Sequence, residues 1–208
     1  MIAWQNKGAI AARGPFCVAP RSHLKNAAFG DELPSHPTTI AHPMTTLPLL
    51  IRREDPSDAD AIERLHERAF GPGRFARTAF RLREGATPRA DLCFTAHVGT
   101  YLVGSIRLSP VTMGGAPGLV LGPIAVEPAF MSRGIGFELI AAALDAARKK
   151  EDARVILVGD EPYYRRSGFT KVPVGRLELP GPVDPERLLW LELVPGAFDG
   201  VSGAVLTG

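Results

Sequence analysis

The residues with the clearest chemical potential form a short turn in the middle of the chain, Arg133-Gly134-Ile135-Gly136. An apolar segment typical of a strand (residues 119–126) precedes the turn, and an amphipathic pattern typical of a helix (residues 135–150) follows it. The first N–H groups of a helix have no internal acceptor, and the helix dipole adds positive charge there. Glycines let an anion approach those amides, and an arginine adds a planar donor suited to phosphate oxygens. The turn therefore predicts a phosphate-binding site.

Two common nucleotide-binding motifs do not fit this turn. The Walker loop needs a Gly-Lys pair followed by Ser or Thr, and the sequence contains no such pair. The dinucleotide pattern needs a third glycine where Leu139 stands. A small nucleotide-binding protein is therefore disfavoured.

The residues around the turn narrow the choice of ligand. Ile124-Ala125-Val126 with Pro128 stands before it, and Tyr164 with Gly168-Phe169 stands after it. This combination resembles the GNAT N-acetyltransferases, which bind acetyl-coenzyme A. The order of elements from about residue 49 to residue 201 is similar to theirs, and the segments GDEPYYRRSGF and ELVPGAFDGVSG resemble the bacterial branch of predicted N-acetyltransferases.

The resemblance implies an α/β (α+β) fold. It consists of a central mixed, mostly antiparallel sheet of about seven strands, splayed between strands 4 and 5 and flanked by about four helices. Pro123 would then lie at a bulge, because proline cannot donate to a strand ladder. The splay would leave backbone groups of Ile124, Ala125 and Val126 free to bond the pantetheine arm of acetyl-CoA.

The same resemblance implies which other residues hold acetyl-CoA. They are the loop and helix start at Met131, Ser132, Arg133, Gly134, Ile135 and Gly136, together with Tyr163 and Tyr164. The family usually has Gln or Arg where Met131 stands, and Gly where Ser132 stands. Met131 therefore removes one polar contact to the pyrophosphate, whereas Ser132 offers a hydroxyl.

Acetyl transfer from a thioester to a primary amine needs a base for the amine, a donor for the oxyanion and an acid for the thiolate. The resemblance makes Tyr164 the acid, with Tyr163 as its rival. The backbone N–H of Val126 or its neighbour would meet the oxyanion. Glu127 is the first choice for the base, and Asp160 and Glu161 are alternatives. We expect direct transfer to a small molecule or peptide; the alternative is a non-catalytic acyl-CoA-binding sensor on the same fold.

Other reactive side chains are interpreted as structural. Cys93, His66 and His97 lie in predicted strands or on a helix face with no partner that signals catalysis. A second helix is predicted over residues 74–83, and its arginines are interpreted as a solvated face. An acidic acceptor is the alternative, because the first two helices of the family border the acceptor site. These arginines are Arg74, Arg77, Arg81 and Arg83.

Composition limits the remaining possibilities. The chain has 208 residues and a net charge of +2, which argues against nucleic-acid and membrane partners. No apolar run reaches the ~20 residues of a membrane helix. Two cysteines, Cys17 and Cys93, make no disulfide framework or metal cluster, so we expect no metal and a cytoplasmic location.

The sequence predicts one domain over residues 44–208. Residues 1–43 lack periodicity and are predicted to be a disordered extension, with Met44 as an alternative start. The Gly-rich tail after Pro195 is predicted to lie on the surface. A monomer and a homodimer remain equally compatible with the sequence.

Overall fold

The computed structural model describes residues 48–73 and 78–208. The predicted extension, Met44, Cys17, Arg74 and Arg77 lie outside these ranges. In chain order the helices are α1 Ala59–Phe70, α2 Thr78–Arg81, α3 Ile135–Lys149 and α4 Glu161–Tyr164. The strands are β1 Leu49–Arg53, β2 Phe94–Val98, β3 Tyr101–Met113, β4 Ala116–Val126, β5 Arg154–Val158, β6 Thr170–Lys171, β7 Leu177–Glu178, β8 Leu188–Glu192 and β9 Gly203–Thr207.

The strands form one mixed sheet. Seven of them follow the hydrogen-bonded order β1-β2-β3-β4-β5-β8-β6, and β9 pairs with both β3 and β7. Along the main path the β4–β5 pair is parallel and the other pairs are antiparallel. The predicted sheet of about seven mostly antiparallel strands is therefore confirmed, with two short strands added at one side.

Strand β4 is irregular at the predicted place. Leu121 pairs with Leu108 and Ile124 pairs with Ile106, so Gly122 and Pro123 together face a single residue of β3. This two-against-one arrangement is a β-bulge, and the Gly122–Pro123 peptide is cis. The bulge explains how a proline is accommodated inside a strand.

Strands β4 and β5 separate just before this bulge. Among the described residues they pair only at Leu119–Val155 and Val120–Ile156. The predicted splay between strands 4 and 5 is thus confirmed, and the second half of β4 has an open edge.

Helix α3 covers the face of the sheet beside this edge. Its buried residues recur at spacings of three and four, as the sequence pattern predicts, and they pack on β2, β3 and β4. These residues are Ile135, Leu139, Ile140, Ala143, Leu144 and Ala147. The packing fixes the helix start at the end of the open edge of β4.

Most of the C-terminal tail is exposed, as predicted, but the prediction is wrong for its buried apolar side chains. Phe198 and Val205 are 3% and 1% exposed, and with Val201 they join a second hydrophobic cluster. β9 pairs with the outer end of β3, which brings these side chains onto the sheet. Apolar residues separated by glycines lack a helical or strand period, so the local pattern hides their burial.

Candidate active site

The open edge of β4 presents backbone groups to the space between β4 and β5. The amide of Glu127 donates to a carbonyl oxygen of β3 at 2.8 Å. Hydrogen-bonded pairs alternate along an antiparallel ladder, so Ala125 exchanges its bonds with β3 as well. Ile124 and Val126 therefore direct their N–H and C=O groups to the open edge, and the three side chains are buried. Two of the three predicted backbone partners face the gap.

The start of α3 stands at the end of this edge. Gly134 caps the helix with a φ of +82°, a conformation that favours glycine, and no side chain caps it. Phe137 and Glu138 are the first residues of the helix whose backbone N–H groups have an acceptor, and both donate to the carbonyl oxygen of Gly134. Among the described residues nothing accepts from the amides of Gly134, Ile135 or Gly136. The space that a Gly134 Cβ would face is empty to 4 Å.

The residues before this cap form the predicted loop. Ser132 is exposed and has a φ of +61°, a left-handed backbone conformation that favours glycine. This agrees with the glycine that the family usually has at this position. Met131 is half-buried. The Arg133 guanidinium carbon lies 5.0 Å from the centre of the Phe130 ring, a cation–π contact. The loop thus holds one strained residue and one exposed cation beside the bare amides.

An aromatic group connects α3 with α4. Phe137 stacks on Tyr163 with ring centres 4.5 Å apart, and Tyr163 meets Tyr164 edge-on at 5.0 Å. Tyr164 in turn meets Phe169 edge-on at 6.0 Å. The Arg166 guanidinium carbon lies over the Phe137 ring, 4.0 Å from its centre. The packing fixes both predicted tyrosines relative to the helix start.

Tyr164 is enclosed beside the end of β5. The residue is 2% exposed, and its ring fits against Gly159 so closely that a Cβ there would lie 2.2 Å from Cε2. Burial raises the pKa of the phenol well above its usual range, and Tyr163 and Asp160 act in the same direction. The positive charges of Arg187 and Arg83 oppose this pKa shift. The phenol therefore keeps its proton at neutral pH.

Each carboxylate considered as a base is paired with an arginine. Arg68 of α1 donates through Nε and Nη2 to Oε2 of Glu127, at 3.1 and 2.8 Å. Asp160 pairs with Arg187 at 3.2 Å, and Glu161 pairs with an arginine one helical turn later. Glu127 directly follows the open edge and is less exposed than Asp160.

The side chains interpreted as structural are buried and hydrogen-bonded. Cys93, which is 2% exposed, donates from Sγ to the carbonyl oxygen of Arg89 at 3.1 Å, and burial raises the pKa of its thiol to about 11. His66 Nε2 lies 3.0 Å from the Ser105 hydroxyl, and His97 Nε2 lies 3.1 Å from that of Thr95. The interpretation of Cys93 as packing is confirmed.

Arg83 lies beside the candidate site, although the preferred interpretation from the sequence placed it on a solvated face. Its guanidinium lies at the β4 bulge, with Nη1 2.5 Å from where a Gly122 Cβ would stand, and it acts electrostatically on Tyr164. The interpretation as part of a solvated face is wrong for this arginine, although Arg81 is exposed as expected. The apolar neighbour Leu82 could have indicated this position, because its buried side chain directs the end of the segment toward the core.

Comparison with known proteins agrees with this geometry. Residues 59–169 match the model of the acetyltransferase (GNAT) family. The uncharacterized N-acetyltransferase YhbS of Escherichia coli is 30% identical over 159 residues, covering 76% of this chain and 95% of YhbS. The chain belongs to the GNAT family of N-acetyltransferases. A second E. coli member, the uncharacterized N-acetyltransferase YjhQ, is 32% identical over 119 residues, covering 55% of this chain and 66% of YjhQ.

Solved GNAT structures share the fold. The crystal structure of E. coli YhbS in complex with CoA has a TM-score of 0.68 and 28% identity, covering 80% of this chain and 93% of YhbS. A GNAT acetyltransferase from Brucella melitensis in complex with acetyl-CoA has a TM-score of 0.52 and 30% identity, covering 74% and 99% of the two chains.

Two features are absent from residues 48–73 and 78–208. No three or more His, Cys, Asp or Glu side chains gather into a group that could hold a metal ion. None of the helices in these ranges has the length and apolar character needed to cross a membrane.

Proposed function

We propose that this N-acetyltransferase binds acetyl-CoA along the open edge of β4 and at the start of α3, and transfers the acetyl group directly to a primary amine of a small molecule or peptide. The observation that carries the proposal is the continuity of two sets of unpaired amides. Those of Ile124 and Val126 on the strand edge lead to those of Gly134, Ile135 and Gly136 at the helix start. A peptide-like arm ending in a diphosphate matches this order of donors.

Each part of acetyl-CoA has a match in the predicted residues. The open edge offers strand-like hydrogen bonds to pantetheine, and the bare helix amides with Arg133 and Ser132 suit the diphosphate. We assign Met131 and Tyr163 to the wall beside the ligand, because Met131 precedes the helix start and Tyr163 stacks on Phe137 of the first helical turn. The ligands of the YhbS and Brucella structures, CoA and acetyl-CoA, support the same assignment here.

Acetyl-CoA supplies an activated thioester, and the protein supplies the remaining chemistry. We assign the Val126 amide as the donor to the charge that develops on the carbonyl oxygen, because it faces the open edge. We assign Tyr164 as the acid that protonates the departing thiolate, because its buried phenol stays protonated. The C–S bond breaks, the C–N bond forms, and one proton leaves the amine.

We retain Glu127 as the base that receives this proton through water. It directly follows Val126, and its ion pair with Arg68 holds the carboxylate in place. Glu127→Gln should lower turnover most at the acid side of the pH profile, where the amine has most need of a base. An unchanged profile would remove Glu127 from the mechanism and turn attention to Asp160.

Direct transfer, rather than an acetyl-enzyme, is supported by Cys93. It is the one cysteine among the described residues, and burial keeps its thiol protonated. Its Sγ bonds to the Arg89 carbonyl oxygen and not to any group of the proposed site.

Thiol release from acetyl-CoA tests this function. The full chain is incubated with acetyl-CoA and a panel of polyamines, aminoglycosides, amino acids and peptides, and free CoA is measured. Acceptor-dependent release is the expected result. Binding of CoA in a calorimeter without release for any acceptor would instead favour the acyl-CoA sensor.

A further inference from the structure

Arg83 is anchored where it reaches the active site. The segment after α2 is held by backbone hydrogen bonds from Leu82 to Thr78 at 3.0 Å and from Arg83 to Phe80 at 2.9 Å. Leu82 is 1% exposed and packs in the second hydrophobic cluster. Thr78 also donates from its hydroxyl to the Pro182 carbonyl oxygen. The base of the Arg83 side chain is therefore fixed between the hydrophobic cluster and the loop before β8.

The guanidinium lies where β4 opens. Its Nη1 is 2.5 Å from the place where a Cβ of Gly122 would stand, and the amide nitrogen of Ile124 is 3.9 Å from the same point. Gly122 has a φ of +130° and no side chain to fill this space. Arg83 and Tyr164 influence each other's pKa, so the cation lies near the proposed acid. The acetyl-accepting end of the cleft thus contains a fixed positive charge.

This charge has no counterion in the described part of the protein. The Arg83 side chain forms no ion pair or hydrogen bond there, and although the residue as a whole is half-buried, desolvation of its guanidinium lowers the pKa of that group to about 10. Seven other described arginines each meet a carboxylate: Arg52, Arg68, Arg89, Arg107, Arg148, Arg165 and Arg187. A buried, unpaired guanidinium is costly, and an anionic ligand would relieve that cost.

A second arginine strengthens the positive field on the same side. Arg187 acts on Tyr164 in the same direction as Arg83. One of its nitrogens, Nη2, pairs with Asp160, whereas Nε is buried without a partner. Its carbonyl oxygen accepts from the Gly159 amide at 2.8 Å, which ties this arginine to the end of β5.

We propose that Arg83 binds a carboxylate of the acceptor, so that the substrate class of this enzyme is an amine that also carries a carboxylate, as amino acids do. The planar guanidinium can donate two parallel hydrogen bonds to such a group. The carboxylate is not consumed: the amine of the same molecule attacks the thioester, loses a proton and gains the acetyl group. This inference rests on the proposed function and specifies its acceptor.

Matched acceptors test the inference. Amino acids and their carboxamides present the same amine with and without the carboxylate, and thiol release from acetyl-CoA is measured for each pair. We expect kcat/KM to be roughly 10- to 100-fold higher for the carboxylated member, because that factor corresponds to the free energy of one charge-assisted hydrogen bond. Arg83→Gln should remove this preference by lowering kcat/KM for the acids alone, and Arg83→Lys should restore part of it.

Arg81→Gln is the matched control, because Arg81 is an exposed arginine two residues earlier, at the end of α2. It should keep the preference, and CoA affinity should be unchanged in all three variants. The melting temperature should be unchanged in Arg81→Gln and should not fall in Arg83→Gln, because that variant removes an unpaired charge. The same pairs are also titrated by calorimetry into the CoA-loaded protein, so that binding is measured without turnover.

The outcomes separate the two claims. If CoA fails to bind the unmodified protein, the proposed function fails. Three results would overturn the carboxylate assignment while leaving the proposed acetyltransferase function in place, provided that CoA binds. They are carboxamides that react as well as the acids, no binding or reaction of any carboxylated amine, and an Arg83→Gln variant that slows both members of a pair equally.

Discussion

Replacing Gly159 with alanine should displace Tyr164 and damage both stability and turnover. An added Cβ would lie 2.2 Å from Cε2 and 2.8 Å from Cδ2 of the Tyr164 ring, and 3.1 Å from Cδ1 of Leu157. Both neighbours are buried, Tyr164 at 2% and Leu157 at 1% exposure, so neither can swing into solvent. Because the clash involves ring atoms and not a flexible end, the ring has to move.

The size of the effect follows from overpacking. Inserting a methyl group into a filled core costs about 1–3 kcal/mol, which lowers the melting temperature of a domain of this length by roughly 2–12 °C. Turnover should fall further than stability explains, since the phenol leaves its position in the cleft. Calorimetric melting and thiol release from acetyl-CoA measure the two effects on the same preparation.

A control and a double variant make this test specific. Gly73 has no neighbour within 4 Å of an added Cβ, so Gly73→Ala should leave the melting temperature unchanged or slightly higher. Tyr164→Leu frees space for the new methyl, so the cost of Gly159→Ala should largely vanish in that background. An unchanged melting temperature in Gly159→Ala alone, or an additive double variant, would refute the close fit of Tyr164 on Gly159.

Three further predictions concern the proposed site. Tyr164→Phe keeps the ring and removes the acid, so kcat should fall by about 10²-fold or more while CoA affinity stays the same; equal turnover would exclude Tyr164 as the acid. Ser132→Gly relieves a φ of +61°, so it should raise the free energy of unfolding in urea by about 0.5–1 kcal/mol and should also alter CoA affinity. Glu151→Gly is the control at a φ of +60°: it should raise the free energy of unfolding without altering CoA affinity. The Cys93 thiol, with its pKa raised to about 11, should resist iodoacetamide at pH 8, and the Cys93→Ser enzyme should keep its activity. Rapid labelling at Cys93, or loss of acetyl transfer in Cys93→Ser, would contradict direct transfer.

Local pattern predicted the elements that build the site. The strand predicted over residues 119–126 lies within β4, and the helix predicted over residues 135–150 is α3, which begins at the glycine turn. Before α1, Asp55 and Asp58 form a capping box. These features depend on neighbours in sequence, which is why residue spacing is sufficient to find them.

Contacts between distant residues could not be predicted in this way. Glu127 pairs with Arg68, 59 positions away, and this pairing orients the carboxylate of the candidate base. Arg83 reaches Gly122 only because Leu82 packs into the core and α2 docks on the loop before β8. The buried tail depends on the pairing of β9 with β3. Tertiary packing decides all three, and no local period reveals it.

Chemical-shift mapping of backbone amides during titration with CoA tests the central claim most directly. We predict that saturating CoA shifts most strongly the amides of Val126, Gly134, Ile135 and Gly136, which have no acceptor in the described part of the protein. The Ala125 amide, bonded to β3, should shift far less. The proposed CoA site would be contradicted if the largest amide shifts at saturation lay elsewhere, or if millimolar CoA shifted no amide.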